Sequence, residues 1–123
     1  MKTTFKLYLS VAFSLLAFTA MAQEFGMASY YADQYHGKKT ASGELYDKDE
    51  MTCAHKSLLF GSVIRVTRLD NSKSVEVRVN DRGPYIKGRI VDLSGAAADA
   101  LGITKIGESK AVSYTHLTLP TKA

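Results

Sequence analysis

An aspartate at the end of a predicted strand is the first residue of this sequence that could do chemistry. Valines alternate with polar residues over positions 75–79, which is the period of a strand with one buried face. Gly83 and Pro84 then stop the strand, so Asp81 is expected to point into a polar cleft at a sheet edge, where site residues tend to gather. Because Asn-Asp-x-Gly is also turn chemistry, a turn-forming aspartate is the alternative.

Cys53 and His55 are the next candidates, two positions apart. On a strand this spacing places both side chains on one face, but the sequence supplies neither an oxyanion loop nor a third member for a cysteine hydrolase. Cys53 is the only cysteine, so we expect a small buried residue with no internal disulfide. His55 has no second His or Cys at ligand spacing, and we expect no metal and no other cofactor. A buried structural histidine and a site histidine both remain open.

The elements that must position these residues are mostly short strands. Predicted strands cover residues 26–32, 62–69, 74–80 and 89–93. The turn cluster at residues 70–73 is of hairpin length and joins the second and third of these strands. Ser94 is placed to cap one helix from Gly95 to Leu101, ended by Gly102. Residues 33–50 are too polar and aperiodic for a regular element, and their glycines and tyrosines favour an ordered loop that folds over a site. This pattern argues for a mainly β fold, a compact β-barrel with one short helix.

The two ends of the chain differ from this domain. Residues 1–22 combine a positive start, an apolar run and the small-x-small site Ala20-Met21-Ala22, which predicts a secretory signal peptide; an uncleaved membrane anchor is the alternative. Residues 112–123 fit a final strand, but they resemble the translation of a sequencing-library adapter. We therefore expect a domain over residues 23–111, a non-native tail and a missing native C-terminus.

Charge and length narrow the possible partners. Lys2 and Lys6 account for half of the net charge of +4, so the exported chain is only weakly basic. It lacks the clustered Lys/Arg stripe that nucleic-acid binding requires. No cysteine follows the predicted cleavage site, so we expect no lipid attachment and no stable membrane anchor after cleavage. The length suits one small domain, and we expect a monomer in the periplasm, the cell envelope or the extracellular space.

Five segments, in this order, resemble the RlpA-like double-psi β-barrel, the domain of the septal-ring lytic transglycosylases. They are residues 26–31, 36–44, 54–56, 77–84 and 90–94. The resemblance implies a six-stranded barrel with two crossed psi loops and an open groove for a glycan chain. It also implies endolytic cleavage of peptidoglycan between N-acetylmuramic acid and N-acetylglucosamine, leaving 1,6-anhydro ends, preferably on strands without stem peptides. Such activity would serve cell-wall remodelling and the separation of daughter cells.

The resemblance places the catalytic acid at Asp81, assisted by Glu44 and His55. Glycoside hydrolysis usually takes two carboxyl groups. A transglycosylase uses the C6 hydroxyl of the muramic acid as nucleophile, so Asp81 alone could protonate the leaving oxygen and later accept the hydroxyl proton. A negative charge on Glu44 would help Asp81 to keep its proton, and Arg82 would oppose this. His55 would orient Glu44 or the substrate, or tune the charge around Asp81.

The predicted substrate-binding residues are Tyr31, Tyr85, Arg82 and Asp92. The two tyrosines are candidate stacking faces for sugars, although core packing explains Tyr31 equally well. Asp92 matches a position that is catalytic in the related cellulase and expansin barrels, but a structural hydrogen bond at the start of the predicted helix explains it equally well. The main alternative function is an expansin-like module that binds wall glycan without cleaving it. A protein-interaction or inhibitor domain would leave Glu44, His55 and Asp81 unexplained.

Overall fold

The computed structural model describes residues 21–116, which form a mainly β domain. Its elements are, in chain order, β1 (Met21–Tyr30), a 3-10 turn (Asp33–Tyr35), β2 (Thr52–Ala54), β3 (Val63–Arg68), β4 (Ser74–Asp81), β5 (Arg89–Leu93), the helix α1 (Gly95–Leu101) and β6 (Ser109–His116). The predicted hairpin is confirmed as β3 and β4, which pair antiparallel. The strand predicted over residues 89–93 is confirmed as β5.

The six strands close into a barrel in the order β1, β5, β2, β4, β3, β6. The β1–β5 and β2–β4 pairs are parallel, and the other pairs are antiparallel. Closure pairs every strand on both sides, which removes the exposed edges of an open sheet. The predicted six-stranded barrel with one short helix is confirmed.

Alternation along the strands builds the core. In β4 the three valines are buried, with exposed fractions of 7% for Val75, 1% for Val77 and 0% for Val79, whereas Ser74 and Glu76 face solvent. The buried face of α1 covers one end of this core. Removing these apolar side chains from water supplies the main driving force for folding.

The helix α1 begins and ends where the sequence predicts. The Ser94 hydroxyl accepts the N–H of Ala97 at 3.3 Å and donates to the Glu50 carbonyl at 2.5 Å. Gly102 closes the helix in the left-handed region, with φ of 74°, a conformation that favours glycine. The hydrogen bond from Ser94 to Glu50 ties the start of the helix to the loop over residues 31–51, which precedes β2.

The predicted domain boundary at residue 111 falls inside β6. Val112 and Ser113 are buried, and Val112 pairs with Phe25 of β1 on one side and Thr67 of β3 on the other. Excluding residues 112–116 from the fold was therefore wrong for this structure, because pairing with β1 and β3 places them in the barrel wall. Residues 117–123 lie outside the described range, and an adapter origin of the tail stays a prediction.

The predicted signal peptide lies almost wholly outside the described residues. Of residues 1–22, only Met21 and Ala22 are described, and both belong to β1. Export and cleavage stay predictions. Between residues 21 and 116, no helix has both the length and the apolar character needed to cross a membrane.

Candidate active site

Asp81 is the last residue of β4 and lies beside the end of β2. It pairs with Ala54 after a shift in the β2–β4 register, and its carbonyl accepts the N–H of His55 at 3.1 Å. The end of β2 therefore fixes the backbone of Asp81. Its side chain is half-buried, as expected at the edge of a cleft.

Three donors hold the carboxyl group of Asp81. Oδ1 accepts the N–H of Ala41 at 2.8 Å and the N–H of Arg82 at 2.9 Å. Oδ2 accepts a hydrogen bond from the Tyr31 hydroxyl. Ala41 belongs to the long polar loop, and the loop is further tied to β4 by the N–H of Ser42, which donates to Asn80 at 3.2 Å. The prediction of an ordered loop folding over Asp81 agrees with these contacts.

Tyr31 reaches the site through its hydroxyl. Its ring packs against Tyr46, with 4.6 Å between centroids, and against the edge of Tyr35 at 6.1 Å. Burial, together with the hydrogen bond to Asp81 and its charge, raises the pKa of Tyr31 far above its ordinary value. The hydroxyl therefore keeps its proton and acts as a donor. The sequence analysis considered Tyr31 as a stacking ring or a core residue and did not predict this role for its hydroxyl group.

Glu44 forms an ion pair that the sequence did not predict. Its two carboxylate oxygens accept from the guanidinium of Arg78 at 2.6 and 2.8 Å, and these bonds lower the pKa of Glu44 below its ordinary value of 4.5. Because Arg78 neutralises this charge, Glu44 does not supply the unpaired negative charge expected beside Asp81. The Glu44 carbonyl accepts the N–H and the hydroxyl of Thr40, both at 2.8 Å. The Glu44–Arg78 ion pair therefore fixes the loop that places the N–H of Ala41 against Asp81.

His55 is buried, with 7% of its surface exposed, and its side chain contacts neither Glu44 nor Asp81 by a hydrogen bond. Nδ1 accepts the N–H groups of Ser57 at 3.1 Å and Leu58 at 3.2 Å, so the geometry assigns the ring proton to Nε2. Nε2 lies 3.1 Å from Oε1 of Glu24. The expectation that His55 orients Glu44 is therefore wrong, since Glu24 and the backbone occupy both ring nitrogens.

Asp92 and Cys53 lie on the neighbouring strands β5 and β2 of the barrel wall. Asp92 accepts a hydrogen bond from the hydroxyl of Ser29, its partner residue across the β1–β5 pair. The structural hydrogen bond predicted for Asp92 exists, but it joins two strands and leaves the helix start to Ser94. Cys53 is fully buried; burial, and then the charge of Asp92, raise the pKa of its thiol to about 12. The prediction of a small buried cysteine is confirmed.

Arg82 and Tyr85 follow Asp81 along the chain. The guanidinium of Arg82 lies over the ring of Phe60, 4.0 Å from its centroid, and Nη1 donates to the carbonyl of His55 at 3.3 Å. Tyr85 is 78% exposed, which leaves its ring free to meet a ligand. The site thus combines a held carboxyl group, an ordered cation and an accessible aromatic ring.

A separate cavity of about 460 Å³ lies between the polar loop and the start of α1. Its lining includes Asp33, Lys48, Asp49 and Asp99, but none of the predicted site residues. Over residues 21–116, no group of three His, Cys, Asp or Glu side chains is arranged to hold a metal ion.

Comparison with known families decides the identity. The model of the lytic transglycolase family matches residues 23–114. The chain belongs to this family. Among relatives of this lytic transglycolase domain, the endolytic peptidoglycan transglycosylase RlpA of Pseudomonas aeruginosa strain UCBPP-PA14 is 54% identical over 85 residues, which cover 69% of this chain and 25% of the relative. The RlpA of Vibrio cholerae is 47% identical over 100 residues, 80% of this chain and 38% of the relative. The chain thus spans well under half the length of these relatives.

Two solved structures resemble the lytic transglycolase fold. The Streptomyces papain inhibitor matches with a TM-score of 0.61 and 21% identity over 76% of this chain and 93% of its own. A variant of the Clavibacter michiganensis expansin, solved with cellohexaose, matches with a TM-score of 0.60 and 23% identity over 83% of this chain and 54% of its own. At these identities the likeness concerns the fold alone, and the predicted double-psi β-barrel is confirmed.

In this lytic transglycolase domain, the side chains of the predicted trio Asp81, Glu44 and His55 do not contact one another by hydrogen bonds. The carboxyl group of Asp81 contacts the Tyr31 hydroxyl and the main-chain N–H of Arg82. Glu44 and His55 act on the same strand end through the loop and the main chain. Sequence reasoning missed Arg78 and Glu24, the partners of those two residues, and Phe60. The alternation of β4 predicts that Arg78 faces outward, and Phe60 belongs to a short apolar segment. Nothing in the local sequence indicated which residues these two side chains would contact.

Proposed function

We propose that this domain is an endolytic peptidoglycan lytic transglycosylase. It cleaves the bond between N-acetylmuramic acid and N-acetylglucosamine and leaves 1,6-anhydro ends, with Asp81 as both acid and base. The observation that carries the proposal is the half-buried carboxyl group of Asp81, whose two oxygens have different partners. The relatives at 47–54% identity are endolytic peptidoglycan transglycosylases, which supports the reaction class.

The partners of Asp81 distinguish the roles of its two oxygens. Oδ1 accepts two main-chain N–H groups, so it is an acceptor in either protonation state, and the transferable proton belongs on Oδ2. In the first step this proton passes to O4 of the N-acetylglucosamine as the C1–O4 bond breaks. The C6 hydroxyl of the muramic acid then bonds to C1, and its proton returns to Oδ2. No water is consumed.

Tyr31 stabilises the intermediate state of Asp81. After the first proton transfer Oδ2 bears negative charge, and the Tyr31 hydroxyl is in place to donate to it. The raised pKa of Tyr31 means that the phenol does not lose its proton to Asp81. A hydrogen bond to a charged group contributes about 1.5–3 kcal/mol, so Tyr31 is expected to accelerate the reaction.

Glu44 and His55 are positioning residues in this mechanism. The Glu44–Arg78 pair holds the loop that presents the N–H of Ala41 to Oδ1. His55 ties its own main chain to the carbonyl of Asp81, while Glu24 holds the imidazole. Substituting either residue disturbs the geometry of Asp81 without removing a proton carrier.

The proposed substrate is a glycan strand without stem peptides. Tyr85 offers an exposed ring for stacking against a sugar, and Arg82 offers a cation next to the acid. Asp92 is proposed to support the groove through Ser29 rather than to touch substrate. The predicted leader supports a location outside the cytoplasm, in the periplasm or cell envelope, and the small size of the domain is consistent with a monomer.

The test is product analysis on peptide-free glycan strands. The chain should release fragments with anhydro ends, lighter by one water than hydrolytic fragments. Asp81→Asn should lose turnover with an unchanged melting temperature. The matched control is Asp99→Asn, an exposed aspartate on α1, which should keep full activity. Retained turnover in Asp81→Asn would remove the proposed acid.

A second candidate function is glycan binding without cleavage. The likeness to an expansin solved with cellohexaose favours it, because the same barrel there accompanies a bound oligosaccharide. In this case the chain would bind sacculi and release no soluble product over long incubation. The difference in product formation separates the two functions.

A further inference from the structure

One arginine in the described part of the chain has no carboxylate partner. Of the five arginines in the sequence, four form ion pairs within residues 21–116: Arg65 with Glu76, Arg68 with Asp70, Arg78 with Glu44 and Glu50, and Arg89 with Glu108. Arg82, the residue directly after Asp81, forms none there. Its charge is therefore available to a ligand.

The guanidinium of Arg82 is held in place before any ligand binds. One face rests on Phe60 at 4.0 Å from the ring centroid, and Nη1 donates to the His55 carbonyl at 3.3 Å. The side chain is half-buried, so much of its rotamer freedom is already lost. A planar guanidinium has several donors in a fixed fork that matches a carboxylate, and the contact with His55 uses only one of its nitrogens.

The main chain links this cation to the reacting group. The N–H of Arg82 donates to Oδ1 of Asp81. The main chain of His55 also joins the two residues, because its N–H donates to the Asp81 carbonyl at 3.1 Å and its carbonyl accepts from the Arg82 guanidinium at 3.3 Å. Only the main chain of His55 therefore separates the guanidinium from the main chain of Asp81, so both residues can meet the same part of a bound glycan strand. In a peptidoglycan strand, the muramic acid bears a lactyl ether on C3 of the same ring whose C1 reacts. The lactyl carboxyl group is a free anion when no stem peptide is attached, and a neutral amide when one is.

We propose that Arg82 binds the free lactyl carboxylate of the reacting muramic acid and thereby selects glycan strands without stem peptides. This inference rests on the proposed function and assigns its substrate preference to one side chain. Phe60 fixes the plane of the guanidinium and so acts as a positioning residue for it. Stem peptides also end in carboxylates, and the experiment distinguishes that source.

The experiment measures binding in the full chain carrying Asp81→Asn, so that turnover does not deplete the ligand. The ligands are glycan strands without peptides, the same strands with the lactyl carboxyl converted to a methylamide, and strands bearing stem peptides. We expect the methylamide to bind about ten- to a hundredfold more weakly, the range for a lost charge-assisted hydrogen bond. Adding Arg82→Gln should weaken binding of the carboxylate strands by a similar factor and remove the discrimination.

Two further variants serve as controls. Arg82→Lys keeps the charge without the fork and should discriminate to an intermediate degree. Arg65→Gln removes an exposed arginine of β3 and should leave all three affinities unchanged. Melting temperatures show whether Arg82→Gln folds; if it does not, the comparison rests on Arg82→Lys and on Phe60→Leu, which should weaken carboxylate binding alone.

Each outcome of the binding series decides the inference. Discrimination between carboxylate and methylamide that persists undiminished without Arg82 would overturn it. Equal binding of peptide-bearing and peptide-free strands, with both weakened by Arg82→Gln, would assign Arg82 to stem-peptide carboxylates and contradict the lactyl assignment. If carboxylate selection depends on Arg82 but the unmodified chain forms no anhydro product, the proposed function fails and the inference about Arg82 stands.

Discussion

Two aspartates flank the same residue of β2 and have different surroundings. Ala54 pairs with Asp81 of β4 on one side and with Asp92 of β5 on the other. Asp81 is covered by the polar loop and receives hydrogen bonds from Tyr31, Ala41 and its own neighbour Arg82, whereas Asp92 receives one from Ser29 and lies beside a buried thiol. Strand register thus places both aspartates beside Ala54. The polar loop and the unpaired Arg82 make only Asp81 suitable for catalysis.

Replacing each of the two aspartates tests most directly whether they differ in catalytic role. Asp81→Asn should lower turnover by about a hundred- to ten-thousandfold, the usual range for a general acid–base group. Asp92→Asn should keep turnover within about tenfold, because its partner is a structural hydroxyl group. The rate of release of anhydro ends measures both. Equal losses in the two variants would show that the sites share the chemistry.

The hydroxyl donors of the two carboxyl groups give a second test. Tyr31→Phe removes the donor to Asp81 and should lower kcat about ten- to a hundredfold with a small change in KM, since the bond strengthens as charge develops. Ser29→Ala removes the donor to Asp92 and should cost about 1 to 3 kcal/mol of unfolding free energy with little effect on kcat. Kinetics and denaturant titration separate the two. A Ser29→Ala variant that loses kcat without losing stability would contradict the assignment.

Much of the fold could be predicted because its signals are local. Alternation identified β4, the turn cluster identified the hairpin, and Ser94 and Gly102 bounded α1. The contacts that define the site join distant residues: Tyr31 to Asp81 across 50 positions, Glu44 to Arg78 across 34 and Glu24 to His55 across 31. Neither periodicity nor turn chemistry reports such pairs. Tyr31, Glu44 and His55 were therefore named as site residues, but the hydrogen bonds that they form were not predicted.

The contribution of the Glu44–Arg78 pair to the free energy of unfolding should depend on pH. Since Arg78 lowers the folded-state pKa of Glu44 below 4.5, the pair stabilises the fold above the unfolded-state pKa, and this contribution is lost as pH falls through the folded-state value. Glu44→Gln should therefore be less stable than the unmodified chain at neutral pH, by less than about 1 kcal/mol for so exposed a pair. Denaturant titrations between pH 3 and about 7 measure the difference, which should shrink at acid pH. A constant difference would contradict the role of the pair.

The smallest expected effect concerns the thiol beside Asp92. Because burial raises the pKa of Cys53 to about 12, a disulfide reagent at mildly alkaline pH should not modify the folded chain on the timescale in which it labels the denatured chain completely. Absorbance of the released thiolate measures the labelling. Fast modification of the folded chain would show that the wall near Asp92 opens, and would weaken the contrast with Asp81.

The most direct measurement of the central claim is the origin of the oxygen at the cleaved end. The chain is incubated with peptide-free glycan strands in water enriched in the heavy oxygen isotope, and the fragments are weighed. Transglycosylation through Asp81 predicts anhydro ends without the isotope, absent from the Asp81→Asn reaction. Reducing ends that carry the isotope, or anhydro ends still formed by Asp81→Asn, would contradict it.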